Sequence, residues 1–351
     1  MTTSRYDRVR RLLLSSGARR YRFEQFTSAV FTRGVDDVER ITTLPSDLRQ
    51  AIAAEIGGSV VALTADAVHD DGQATKVRFR LPDGPAVETV HLRYRAGWTS
   101  LCISSQAGCG LGCTFCATAS LGLRRNLRAD EITDQVLWFR QRGHRVGRVA
   151  FMGMGEPLAN PHVLEAIETL VDPALFAYSP RRITVSTVGM LPGLDRLVTT
   201  HPAVGVTFSL HAADGEVRRR LVPLHDRYPT EEVLARLDRH IRETGREVTV
   251  ACALIAGVND RDADAGALAA LVKGRRGTTG RYHVNLYPFN PSPQVDGSLR
   301  PSTQVEAFRD RLRSAGLRAS VRAQFGRSIA AGCGQLAAGA PGSELAAPSV
   351  R

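Results

Sequence analysis

The chain has 351 residues, of which 43% are hydrophobic, so it can bury a sizeable core, and this composition excludes a largely disordered protein. No apolar run approaches the roughly 20 residues that a membrane-spanning helix needs, so no membrane partner is expected. The formal net charge is +11 with Lys76 and Lys273 as the only lysines, and this arginine-rich surface indicates either a polyanionic partner such as RNA or DNA, or merely a solvated basic surface.

Residues 1–94 are predicted to form a small α+β accessory domain that binds RNA. Apolar periodicity predicts short helices within residues 6–50. Strands are predicted at 60–65, 75–81 and 86–93, because turns containing Asp-Gly separate these β-rich runs. The helices carry a cluster of arginines: Arg8, Arg10, Arg11, Arg19, Arg20 and Arg22.

Residues 95–336 are predicted to form the core, with an α/β fold. Six apolar, β-rich runs alternate with helical segments, which favours a parallel sheet closed into a partial (β/α)6 barrel. Two of the helices are predicted at 130–142, capped by Asp130, and at 230–244. The strands are predicted at 101–104, 149–152, 183–186, 204–210, 248–255 and 282–287. Functional residues are expected where these strands end, and residues 337–351 are expected to be a flexible tail.

The loop after the first core strand contains Cys109, Cys113 and Cys116 in a Cys-x3-Cys-x2-Cys pattern among glycines. Three thiolates on one tight loop can hold three irons of a 4Fe–4S cluster, and the open fourth iron can chelate S-adenosylmethionine. The alternatives are accidental spacing and a structural zinc site, although the second Cys-x2-Cys pair that is usual for zinc is missing. Six cysteines without a signal peptide indicate the cytoplasm, where clustered cysteines serve metal binding or catalysis more often than disulfides.

The triad resembles that of the radical S-adenosylmethionine superfamily, and flanking motifs resemble the RlmN/Cfr family of 23S ribosomal RNA adenine methyltransferases over roughly residues 88–336. These motifs are Leu101-Cys-Ile-Ser-Ser-Gln106, Cys116-Ala-Thr, Arg125-Asn-Leu127, Met152-Gly-Met-Gly-Glu-Pro-Leu158, Ser186-Thr187, Ser209-Leu-His211, Asn285-Leu-Tyr-Pro-Phe-Asn290 and Cys333-Gly-Gln-Leu336. The segments Gly97-Trp98, 130–137 and 179–182 resemble the Cfr-type branch, which methylates adenine carbon 8. The resemblance implies a radical S-adenosylmethionine barrel.

The resemblance also implies roles for three residues outside the triad. Cys333 would be methylated by one S-adenosylmethionine molecule, and a 5′-deoxyadenosyl radical from a second would remove a hydrogen from that methyl group. The methylene radical would add to adenine, Glu88 would take the proton from the adenine carbon, and Cys102 would release the product by forming a disulfide with Cys333. Without the resemblance, both cysteines would be interpreted as small core residues and Glu88 as a surface residue.

Further family positions match expected contacts to S-adenosylmethionine. Gly155 allows close approach of the backbone, and the Glu156 carboxylate can accept hydrogen bonds from the methionine ammonium. The other expected contacts follow later strands: Ser186, Ser209, Leu210, His211 and Asn290. Cys252 is expected to be a core residue.

One segment departs from the family pattern, which carries two aspartates where this chain has Ser328 and Ala330. This departure leaves a radical methylase of a non-RNA substrate as an alternative. A C2-type adenine methyltransferase of ribosomal and transfer RNA is a second, and a non-catalytic RNA-binding protein with a structural cluster is a third. The leading hypothesis is a carbon-8 methyltransferase of 23S ribosomal RNA that acts as a monomer with a flavodoxin-type electron donor. The resemblance does not fix the carbon or whether antibiotic resistance results.

Overall fold

The computed structural model of the protein describes residues 4–337, and a ten-stranded sheet organises it. In the order in which they pair, its strands are β1, β2, β3, β4, β7, β8, β9, β10, β11 and β12, and β5 and β6 form a separate two-stranded sheet. The strands are β1 (Thr64–Asp70), β2 (Ala74–Arg80), β3 (Ala86–Arg93), β4 (Thr99–Ile103), β5 (Gln106–Gly108), β6 (Leu123–Asn126), β7 (Arg148–Phe151), β8 (Ile183–Thr187), β9 (Gly205–Ser209), β10 (Val248–Leu254), β11 (Tyr282–Pro288) and β12 (Arg318–Val321).

Helices connect the parallel strands. The α-helices are α1 (Arg5–Ser15), α2 (Tyr21–Thr27), α3 (Ser46–Ile56), α4 (Ala117–Ser120), α5 (Ala129–Gln141), α6 (His162–Val171), α7 (Leu191–Thr200), α8 (Gly215–Leu221), α9 (Thr230–Thr244), α10 (Asp262–Lys273) and α11 (Val305–Ser314). Strands β4 and β7 to β12 are parallel to one another, which confirms the predicted α/β partial barrel and its six strands. A seventh parallel strand, β12, was not predicted from the sequence. Its four residues alternate polar and apolar side chains and give little apolar signal.

The strand predicted at 60–65 is wrong, because β1 runs over Thr64–Asp70 instead. Val60, Val61 and Leu63 are buried core residues without being part of a strand, whereas β1 is a polar edge strand. Strand β3 pairs antiparallel with β4, so the sheet continues across the predicted boundary between residues 94 and 95.

Both predicted core helices are present, and one of them is shifted by one residue. Helix α9 has the predicted bounds and ends before Gly245, which adopts a φ of +66°. Helix α5 begins and ends one residue earlier than predicted, and its first turn is capped by the Glu131 carboxylate, which accepts the Arg128 N–H at 2.8 Å. Asp130 does not cap it, since its carboxylate accepts the backbone N–H of Arg5 at 3.0 Å.

Helices α1, α2 and α3 confirm the short helices that were predicted within residues 6–50. None of the helices within residues 4–337 is both long and apolar enough to cross a membrane. The predicted tail lies outside the described residues apart from Ala337.

A buried ion pair joins helix α1 to helix α5 of the core. The Arg5 guanidinium donates two hydrogen bonds to Asp134, at 2.8 and 3.1 Å, and both side chains are almost fully buried. Asp134 also accepts the Ala62 N–H at 2.8 Å, so one carboxylate fixes two segments of the N-terminal part. The attraction of Arg5 offsets part of the desolvation that nevertheless raises the pKa of Asp134.

Replacing Arg5 with Met should leave Asp134 buried without a cation and lower the free energy of unfolding by about 3–5 kcal/mol. The matched control is Arg8→Met on the same helix. The exposed ion pair of Arg8 with Glu55 has an N–O distance of 3.7 Å, and its loss should lower the free energy of unfolding by less than about 1 kcal/mol. Urea unfolding of both variants measures the difference. Equal losses in the two variants would contradict this role for Arg5.

Candidate active site

The cysteine triad lies on the loop that runs from β5 to α4. Gly108 at its start has a φ of +77°, and a Cβ there would lie 1.8 Å from the Gly122 carbonyl oxygen, so only glycine fits. The Cys109 N–H donates to that same carbonyl at 3.0 Å, which closes the loop. All three cysteines line one cavity, called here the triad cavity.

Burial raises the pKa of all three thiols, that of Cys109 to about 11. Thiolates in such surroundings need nearby positive charge, which iron supplies when thiolates bind it. Within residues 4–337, no group of three or more His, Cys, Asp or Glu side chains is close enough to hold a single metal ion. Three thiols from one glycine-rich loop facing one cavity are a donor set that fits a multinuclear iron–sulfur cluster.

Gly155 and Glu156 follow β7 and face the same cavity. A Cβ on Gly155, whose φ is +95°, would lie 2.5 Å from the Gln106 side chain, so this position requires glycine. The Glu156 carboxylate accepts the N–H groups of Val188 at 3.1 Å and Leu158 at 3.2 Å. Burial raises its pKa to about 7, and no cationic side chain within residues 4–337 forms an ion pair with it. A buried carboxylate without a protein cation fits a ligand ammonium group.

Three more of the predicted contacts meet at the ends of β8 and β9. The hydroxyl oxygens of Ser186 and Ser209 are 3.1 Å apart. His211 adopts a φ of +63°, and its Nδ1 accepts the Ala253 N–H at 3.1 Å, so Nε2 carries the proton in the neutral ring. Burial lowers the pKa of His211 to about 3, which keeps the ring neutral. Leu210 is fully buried and does not line the triad cavity.

Arg218 supports these strand ends, and sequence reasoning missed it. It is fully buried, and its guanidinium donates to the carbonyls of Val188 at 2.7 Å, Ser209 at 3.0 Å and Leu210. Burial lowers its pKa to about 10. In the sequence it is one of three consecutive arginines in α8, and nothing there distinguishes it from its two neighbours.

Cys333 lies between the triad cavity and a second one. The second cavity, called here the Cys102 cavity, is lined by Cys102, Cys333 and Asn290 among others. Cys333 lines both cavities, so its sulfur is within reach of molecules on either side. Burial raises the pKa of Cys102 to about 12, with a further contribution from the neighbouring Cys333.

Two side chains fix the segment that carries Cys333. The Asn290 amide donates to the Cys333 carbonyl at 3.1 Å, and Asn290 lines the Cys102 cavity rather than the triad cavity, where the cofactor contacts were expected. Arg322, which was not predicted, donates from Nη1 to the Cys333 sulfur at 3.3 Å and from Nη2 to the Met152 sulfur at 3.2 Å. It follows β12 directly, so recognition of that strand would have placed it among the candidate residues.

Glu88 lies beside the Cys102 cavity but does not line it. It shares one face of β3 with Val90 and Leu92, which do line the cavity, because alternate residues of a strand point the same way. Its carboxylate pairs with Lys76 Nζ at 3.2 Å and accepts the Ala337 N–H at 2.9 Å, with both charged side chains less than 8% exposed.

The segment that departs from the family pattern is held by β2 and by the turn between β1 and β2. The Ser328 hydroxyl donates to Asp71 at 3.0 Å, and Lys76 Nζ donates to the Ala330 carbonyl at 3.3 Å. A carboxylate at position 328 would face Asp71 and be repelled by it. The serine therefore suits the turn that this chain presents.

Comparisons with known proteins identify the family of this chain. Residues 103–268 match the family profile of the radical SAM superfamily. The ribosomal RNA large subunit methyltransferase Cfr of Staphylococcus aureus is 43% identical over 336 residues, which cover 95% of this chain and 96% of that protein. The protein of the same name from Lachnoclostridium phytofermentans is 43% identical over 338 residues, with coverage of 96% and 98%.

A solved structure extends the likeness to the fold. A radical SAM methyltransferase from Sphaerobacter thermophilus matches with a TM-score of 0.87 and 38% identity, over 94% of this chain and 97% of that one. These findings confirm the resemblance on which the sequence analysis relied, and membership of the superfamily implies S-adenosylmethionine and a 4Fe–4S cluster as cofactors. The chain belongs to the radical S-adenosylmethionine superfamily and, within it, to the family of the Cfr ribosomal RNA large subunit methyltransferases.

Proposed function

We propose that this protein methylates carbon 8 of an adenosine in 23S ribosomal RNA at the peptidyl transferase centre, by way of a methylated Cys333. The observation that carries the proposal is that Cys333 lines both the triad cavity and the Cys102 cavity. A sulfur in that position can receive a carbon on one side and pass it to a base on the other. The 43% identity to proteins named as Cfr ribosomal RNA methyltransferases supports the substrate.

The residues of the triad cavity bind the cofactors in this proposal. When bound, the cluster and two molecules of S-adenosylmethionine per turnover supply a methyl group and a 5′-deoxyadenosyl radical. Cys109, Cys113 and Cys116 would ligate three irons. Gly155 and Glu156 would hold the methionine ammonium.

The remaining predicted contacts divide by position. Ser186, Ser209 and His211 would contact the rest of the cofactor, since all three line the triad cavity. Leu210 and Asn290 would shape the surroundings. Leu210 is buried behind the cavity wall, and Asn290 fixes the backbone of Cys333.

Cys333 carries the transferred carbon. Its thiolate would take up a methyl group, and that S-methyl group would give up one hydrogen atom to the 5′-deoxyadenosyl radical, which leaves a carbon-centred radical. That carbon would bond to the electron-poor carbon of adenine, and the cluster would supply an acceptor for the one electron that the adduct must lose. Arg322 is positioned to orient the sulfur throughout, because its guanidinium donates to it at 3.3 Å.

Glu88 and Cys102 complete the reaction. Glu88 takes the proton from the adenine carbon. The Cys102 thiolate then attacks the Cys333 sulfur, which breaks the bond to the methylene group, forms a disulfide and leaves a methyl group on the base after protonation. An external reductant must reduce the disulfide before the next turnover.

The partners follow from the same proposal. The RNA substrate agrees with the net charge of +11. The protein would act as a monomer in the cytoplasm, with a flavodoxin-type electron donor. A carbon-2 specificity would extend the substrates to transfer RNA.

Product analysis tests the site of methylation. Expression of the chain in cells that lack their own adenine C-methyltransferases should give 8-methyladenosine in digested 23S RNA, as detected by mass spectrometry. The inactive Cys333→Ala variant is the control and should give none. Finding 2-methyladenosine would assign the carbon-2 specificity, and finding neither product would contradict the proposal.

Removal of Cys102 should trap an intermediate. The Cys102→Ala variant should accumulate a covalent adduct between Cys333 and RNA, visible as a shifted band in a denaturing gel, because no second thiol can release it. Cys252→Ala is the matched control, since Cys252 is buried in the core and lines neither cavity. That variant should turn over without an adduct, and free methylated RNA made by Cys102→Ala would argue against the release step.

A double variant separates the role of Glu88 in the reaction from its structural role in the ion pair with Lys76. Glu88→Gln alone should abolish product, but it also leaves Lys76 buried without its counterion. Adding Lys76→Met restores charge balance and should recover the free energy of unfolding, by about 3–5 kcal/mol, without recovering product. Recovery of product in the double variant would show that Glu88 has a structural role only.

A further inference from the structure

The hairpin between β3 and β4 builds a ladder of aromatic rings. Gly97 adopts a φ of +80° and donates its N–H to the Tyr94 carbonyl at 2.8 Å, while Tyr94 donates its own N–H to the Trp98 carbonyl at 3.0 Å. This tight turn sets Tyr94 and Trp98 side by side. Their rings stack with centroids 3.4 Å apart and planes 12° from parallel, and Phe325 packs edge-on against Tyr94 at 4.8 Å.

The ladder runs from the Cys102 cavity to the surface. Tyr94 and Phe325 line that cavity together with Cys333, whereas Trp98 does not line it and is 42% exposed. The Arg148 guanidinium lies over the Trp98 ring, 5.5 Å from its centroid, which is within the range of a cation–π contact. Arg148 is itself exposed, so a nucleotide that approaches the exposed part of the indole would meet the guanidinium as well.

Guanidinium groups without a carboxylate partner lie at this edge, as they do on other parts of the arginine-rich surface. Many arginines of the chain are engaged by carboxylates, such as Arg78 with Asp66 and Arg93 with Asp70. Arg148, and Arg95 in the hairpin turn, form no ion pair within residues 4–337. Exposed aromatic rings beside unpaired guanidinium groups are what single-stranded RNA requires, because its bases stack on the rings and its phosphates pair with the cations.

We propose that Trp98 stacks the nucleotide next to the target adenosine and that Arg148 contacts a phosphate of that nucleotide, which presents the target base to the Cys102 cavity. This inference rests on the proposed function in that the substrate is RNA. A base is favoured over a protein partner because the ladder is continuous with the cavity that the target base must enter. The Trp98 indole would thus position the target adenine by stacking on the neighbouring nucleotide, without touching the reacting atoms.

Binding measurements separate the stacking contribution of Trp98 from the phosphate contact of Arg148. The probe is an RNA hairpin with the peptidyl transferase sequence, titrated onto the full chain with its cluster, in a Cys333→Ala background so that no reaction occurs. Trp98→Ala should weaken binding roughly 5- to 100-fold with an unchanged salt dependence, and Trp98→Phe should recover most of the loss. Arg148→Ala should reduce the slope of log K against log salt by about 0.7–0.9, as expected for one lost phosphate contact.

Arg227→Ala is the matched control for Arg148, because Arg227 also lies over an aromatic ring, Tyr228, at 5.4 Å. This variant should leave both affinity and salt slope unchanged. Tryptophan emission gives an independent signal, since the only other tryptophan, Trp138, is 7% exposed. RNA should quench the emission of the parent protein, and Trp98→Phe should abolish that quenching.

Three outcomes would overturn the inference. The first is RNA affinity within twofold of the parent in Trp98→Ala, and the second is quenching that persists in Trp98→Phe. The third is a change of oligomeric state in Trp98→Ala, measured by sedimentation, which would make the indole a protein contact. Failure of the parent protein itself to bind the hairpin would instead contradict the proposed function.

Discussion

The contact between Arg322 and Cys333 is the constraint on which the rest of the site depends. A sulfur that serves two cavities in turn must be held at their boundary, and the guanidinium does so at 3.3 Å while its other nitrogen is held at the Met152 sulfur. The Asn290 amide fixes the backbone of the same residue from the loop that follows the neighbouring strand, β11. Both anchors follow parallel strands, so the rigid sheet defines the position of an otherwise irregular C-terminal segment.

The N-terminal strands belong to this arrangement as much as the barrel does. Strand β2 supplies Lys76, which contacts both the Glu88 carboxylate and the Ala330 carbonyl, and the turn before it supplies Asp71 for Ser328. The segment that leads to Cys333 is therefore held by β2 and by the turn between β1 and β2, and not by the barrel alone. The contact with Asp71 gives a physical reason for Ser328 in place of an aspartate.

The sequence predicted most of the barrel, because buried parallel strands are apolar runs and the glycines of the cysteine loop are required by its geometry. Prediction from the sequence failed where apolar character and strand structure do not coincide. Val60 and Val61 are apolar and buried but do not form a strand. The four-residue strand β12 alternates polar and apolar residues, and it was overlooked together with Arg322, which follows it. Arg218 could not have been chosen among three consecutive arginines, since only the fold shows which one is buried.

The central claim is that Cys333 itself carries the carbon that reaches the RNA. Peptide mass spectrometry of the protein purified with its cluster from cells tests this most directly. The account predicts a methyl group on the peptide that contains Cys333, and none on those that contain Cys102 or Cys252. The claim would be contradicted if Cys333 carried no methyl group in a preparation that still methylates RNA without any added methyl carrier.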